Sequence, residues 1–98
     1  MLSEILPANP ADAFARYGLA MELVRLEQFD RALQEFSTIL QTSPDYVPAY
    51  QMSAQQLIRL GRTEEARDRL EAGLAACERT GNGHATSEMS AMLDELGG

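Results

Sequence analysis

Apolar residues recur every three or four positions along the chain. Leu19, Leu23 and Leu26 are followed by Ala32, Phe36, Ile39 and Leu40, a spacing that gathers them on one side of a helix and leaves polar residues between. The pattern returns after 34 residues: LVRLEQFDRALQEF at 23–36 is matched by LIRLGRTEEARDRL at 57–70, since 57 − 23 = 34. At that offset Ala15 pairs with Ala49, Ala20 with Ala54, Leu23 with Leu57, Arg25 with Arg59, Leu26 with Leu60, Ala32 with Ala66 and Leu40 with Leu74. Val24 with Ile58, Asp30 with Glu64 and Phe36 with Leu70 are conservative pairs, and Asn9-Pro10 falls on Ser43-Pro44.

Each unit therefore reads as two amphipathic helices, and the pattern predicts helices near 10–26, 29–42, 46–60, 63–79 and 84–96. Asn9 before Pro10, Ser43 or Asp45, and Thr63 are the candidate caps, while Gly61 marks a turn where the first unit has Glu27. Gly73, inside a predicted helix, is read as permitting close packing of the helix that follows.

A helix pair of this length cannot bury its apolar stripe alone, so units repeating at this period must stack to build a core. Ninety-eight residues suffice for one such domain. The expected organisation is a single domain over 1–98: a lead-in at 1–9, repeats at 10–44 and 45–79, and a capping helix at 84–96. Ala85, Met89, Met92, Leu93 and Leu96 form the inward stripe of that last helix. With only two units, weak self-association through an N-terminal edge carrying Leu2, Ile5 and Leu6 is the alternative to partner binding.

Charge narrows the partners. The formal net charge is −7, and every basic residue is an arginine interleaved with carboxylates, so no basic stripe exists for nucleic acid or anionic lipid. No apolar run approaches the roughly 20 residues of a membrane helix, and the first residues lack the basic start and long apolar stretch of a secretory signal. A cytoplasmic location is expected, with Cys77 as a lone thiol. One histidine, His84, no activated nucleophile pair and no clustered ligands argue against an enzyme, a cofactor or a metal site. The terminal Leu96-Gly97-Gly98 also ends ubiquitin-like and sulfur-carrier proteins, but nothing here alternates with strand periodicity, so the glycines read as helix termination.

Taken together, Ala20, Leu23, Ala32, Phe36 and Pro44, then Ala54, Leu57, Ala66 and Leu70, resemble the tetratricopeptide repeat family over about residues 10–79. The bulky aromatic expected early in the first helix is Tyr50 in the second unit, whereas the first has Arg16 there with Tyr17 adjacent, and Glu78 stands where the second closing proline belongs. The resemblance implies an all-α fold of about five helices, antiparallel pairs stacked as a short right-handed α-solenoid. It also implies a non-enzymatic scaffold or adaptor without cofactors, binding a peptide or helical segment of another protein in a concave groove. Projected onto this chain, that groove is lined by Tyr17, Met21, Arg25, Gln51, Gln55 and Arg59. The absence of lysine there sets it apart from relatives that clamp a terminal carboxylate, and suggests an apolar or neutral helical ligand.

Overall fold

A computed structural model describes residues 10–97, which fold into α1 (Pro10–Arg25), α2 (Phe29–Thr42), α3 (Val47–Arg59), α4 (Thr63–Thr80) and α5 (Gly83–Glu95). No strand occurs among the described residues. The Asn9 cap, the edge residues Leu2, Ile5 and Leu6, and Gly98 lie outside them.

The repetition extends to how the helices stop. After α1, the Gln28 N–H donates to the Leu23 carbonyl at 2.8 Å and the Glu27 N–H to Val24 at 2.9 Å; after α3, Arg62 donates to Leu57 at 2.8 Å and Gly61 to Ile58 at 3.0 Å. Both are Schellman endings, which require a left-handed residue, and φ is 61° at Glu27 and 77° at Gly61. Glycine adopts that conformation freely, whereas an L side chain loses about 1–2 kcal/mol there. Glu27→Gly should therefore stabilise the fold by about 0.5–1 kcal/mol once glycine's larger unfolded-state entropy is deducted. A higher urea midpoint is the expected result, and an unchanged or lower one would show that Glu27 bears no strain.

The caps differ from those the sequence suggests. Ser43 closes α2, its N–H donating to Ile39, and α3 starts after Tyr46 without a side-chain cap. The Tyr46 N–H turns back to the Ser43 carbonyl at 3.0 Å, and proline in the first turn of α3 supplies the helical φ that a capping side chain would otherwise help to set. Thr63 is the first residue of α4, behind Arg62, and caps nothing. The side-chain cap instead belongs to Asn82, whose Oδ1 accepts from the Ala85 N–H at 3.1 Å.

Each helix packs on its neighbours in sequence, giving antiparallel pairs stacked as a short right-handed α-solenoid. Ala20, Leu23, Ala32, Phe36 and Ile39 form the first core with Ala49 of the next unit, so the junction between units is itself core. The second gathers Tyr50, Ala54, Leu70, Cys77, Ala85 and Met89 from α3, α4 and α5. A third, Leu33, Leu57 and Ala66, has the half-buried Leu96 against it. Small residues at Ala20, Ala32, Ala54 and Ala66, all without exposed surface, let the helices approach while larger side chains interlock around them. Polar ties reinforce the junctions. The Tyr50 hydroxyl donates to the Pro44 carbonyl at 2.6 Å, and Arg79 of α4 donates to Asp45 at 2.7 Å and to the Pro44 carbonyl at 3.2 Å.

One stripe departs from its helical reading. Leu23 is buried, but Leu19 and Leu26 are 46% and 48% exposed. Position along the stack accounts for Leu19: its counterpart at the 34-residue offset, Ser53, has helices on both sides and is fully buried, whereas α1 is the first of the described helices.

Candidate functional site: the α1 and α3 faces and the α2/α4 groove

Helical spacing places Tyr17, Met21 and Arg25 along one side of α1, and Gln51, Gln55 and Arg59 along the equivalent side of α3. Tyr17 is half-buried: its ring meets Phe36 edge-on at 5.9 Å between centroids and lies 5.5 Å from the Tyr46 ring. Burial, assisted by Tyr46, pushes its phenol above the ordinary tyrosine value. The ambiguity between Arg16 and Tyr17 is thereby resolved, since Arg16 is exposed and pairs with Glu35 of α2 at 2.8 Å while Tyr17 packs inward. Met21 is half-buried on the same cluster.

The remaining four meet polar or aromatic neighbours to different degrees. Arg25 is exposed and engaged by Glu22 on its own helix, and each raises the charged character of the other. Gln51 donates to Glu88 of α5 at 2.9 Å, and Glu88 also receives His84 at 3.2 Å. Arg59 lies over the Phe29 ring at 5.4 Å, a cation–π contact that occupies one face of its guanidinium. Gln55 is exposed. Among the described residues, no hydrogen bond or ion pair joins the α1 trio to the α3 trio.

What the two helices share is an apolar cluster, and sequence reasoning passed over its fringe. Val24 and Met52 pack on the same cluster as Tyr17 and Met21, so a half-exposed fringe runs from α1 to α3. Phe14, 72% exposed, sits two turns before Met21, and Ile58 is the exposed counterpart of Val24 at the 34-residue offset. The signal was available: each of these residues is three or four positions from a groove candidate or is its repeat partner.

A concavity lies between α2 and α4. It is an open groove of about 730 Å³, with Leu33 and Leu57 on its apolar side and Gln34, Thr38, Arg62 and Arg69 among its polar walls. Cys77 is buried in α4, His84 stands exposed on α5, and no group of three or more metal-ligating side chains occurs among the described residues. Among the described residues, no helix is long and apolar enough to cross a membrane.

Comparison with known proteins agrees with this geometry. A family model described as tetratricopeptide repeat matches residues 23–76. The structure is similar to the solution structure of a tetratricopeptide repeat domain protein from Salinibacter ruber, at 32% identity and TM-score 0.83, covering 90% of this chain and 89% of that one. A protein from Bordetella parapertussis is 29% identical with TM-score 0.78, over 87% of this chain and 74% of its own. The TPR2B domain of yeast Sti1, solved in complex with pHsp70, shares the fold at 23% identity and TM-score 0.81, covering 90% of this chain and 70% of that one. No curated protein matches. With the family model spanning more than half of its length, the chain belongs to the tetratricopeptide repeat family.

Proposed function

We propose that this protein is a non-enzymatic, cytoplasmic adaptor that holds a peptide or helical segment of a partner protein against the α1 and α3 faces. It needs no cofactor, metal, nucleic acid or membrane, and its parts are two repeats, 10–44 and 45–79, closed by a capping helix at 84–96. Repeats of this family are generally protein-interaction modules. One observation carries the reading: among the described residues, an apolar fringe with the exposed Phe14 and Ile58, rimmed by Gln51, Gln55 and Arg59, is left uncovered on one side of both first helices. Such a face suits the apolar stripe of an amphipathic helix, with the amides and guanidinium meeting its polar flanks.

A second reading, stacking of one copy on another, draws on the exposure of Leu19, whose repeat counterpart is buried. The two are separable. Phe14→Ala with Gln55→Ala alters only exposed residues, so helicity should be retained while a partner captured from lysate by the native protein is lost. Capture of the same partner by both proteins would overturn the groove assignment. Concentration-dependent mass in light scattering, abolished by Leu19→Glu, would place the function in stacking instead.

A further inference from the structure

The α2/α4 groove contains a cation, Arg69, that makes no ion pair among the described residues. Arg69, half-buried on α4, donates through Nη2 to the Ser37 Oγ of α2 at 3.3 Å, and among the described residues no carboxylate oxygen lies within 4.0 Å of its guanidinium. The carboxylates of the same groove are committed elsewhere. Glu35 pairs with Arg16 at 2.8 Å, while Glu65 and Asp30 hold Arg62 at 2.8 and 3.6 Å. Burial pulls the Arg69 guanidinium below its ordinary pKa, with Tyr50 and Glu65 acting in the opposite direction. A partly desolvated cation with a single hydroxyl partner is under-compensated, and an incoming anion would restore the interaction that water supplied.

We propose that the α2/α4 groove is a second recognition site, in which Arg69 and Ser37 bind an acidic side chain of an extended partner peptide. A guanidinium fork matches a carboxylate in two parallel bonds. Because the Ser37 oxygen accepts from Arg69, its own hydroxyl proton is free to donate to the same carboxylate. Gln34 and Gln41 line the groove and their amides have no hydrogen bond among the described residues, which leaves them for the peptide backbone. The open groove's volume of about 730 Å³ exceeds what one carboxylate fills, which leaves room for a segment of chain along the helices. The site faces different helices from the α1/α3 groove and stands or falls independently of it.

The test is a titration of the intact protein with a capped Gly-Glu-Gly-Glu-Gly peptide and its glutamine counterpart, followed by NMR at the arginine Nε–H and backbone amide signals. Saturable shifts at Arg69 and Ser37 are expected with the acidic peptide. Binding should weaken by about tenfold or more with the glutamine peptide and in Arg69→Gln, and by less in Arg69→Lys, which keeps the charge without the fork. Equal responses to the two peptides, absence of saturation, or an unaltered Kd in an Arg69→Gln protein of native helicity would each overturn the proposal. Should Arg69→Gln fail to fold, the two-peptide comparison on the native protein decides the matter.

Discussion

Phe36→Ala is expected to lower stability by about 3–5 kcal/mol, enough to leave a protein of this size close to half unfolded at room temperature. Phe36 has no exposed surface and lies where α1, α2 and the start of α3 meet, among Ala20, Leu23, Ala32 and Ala49. Small neighbours cannot swing in to fill the space, so most of the cavity persists. The edge-on Tyr17 ring at 5.9 Å also loses its partner, an interaction worth about 0.5–1.5 kcal/mol beyond area. Phe36→Leu is the informative companion, because the equivalent position of the second unit already carries a buried Leu70. It should cost less than about 1.5 kcal/mol. Urea melts followed by circular dichroism separate the two, and a loss below about 1 kcal/mol for Phe36→Ala would mean that Tyr17 collapses into the vacancy.

The contrast between Phe36 and Phe14 shows what the sequence makes legible. Phe36 could be placed in the core because its repeat partner is also apolar and the helical period puts both inward. Phe14 obeys the same period yet is exposed, because periodicity defines a helix face without saying what lies against it. Stack position supplied the missing information at Leu19 and Ser53, a leucine in water and a serine in the core. Ser53 survives burial by donating its hydroxyl to the Ala49 carbonyl at 2.6 Å, a local solution that apolar patterning does not register.

The groove candidates divide along the same line. Helical spacing grouped Tyr17 with Met21 and Gln51 with Gln55, and that grouping follows from one helix at a time. That Gln51 is tied to Glu88, that Arg59 covers Phe29, and that Arg69 meets Ser37 depend on three-dimensional neighbours 30 or more residues away in all three cases, where the repeat offset gives no guidance. The α2/α4 groove escaped notice for a related reason: its residues differ between units, with Glu35 in the first where the second has Arg69.

Gly73→Ala is expected to destabilise the fold by about 1–3 kcal/mol, against the ordinary gain of up to about 1 kcal/mol for replacing a glycine inside a helix. A methyl group at Gly73 would lie 2.6 Å from the Met89 sulfur and 2.7 Å from the Tyr50 Cβ. The methionine can swing aside, being the far end of a flexible chain. Tyr50 cannot, because its Cβ is one bond from the backbone of α3 and its hydroxyl is anchored to the Pro44 carbonyl. The α3–α4 spacing must therefore widen, and α5, which packs on this seam through Met89 and Ala85, should lose protection first. Gly18 provides the control: it is also within a helix, nothing stands within 4 Å of a Cβ built there, and Gly18→Ala should stabilise. Thermal melts of both variants, with hydrogen exchange along α5, test the pair. Opposite signs would establish that Gly73 is present for the closeness it allows; a gain in both would show that the seam can open without loss and that the glycine is a tolerated defect.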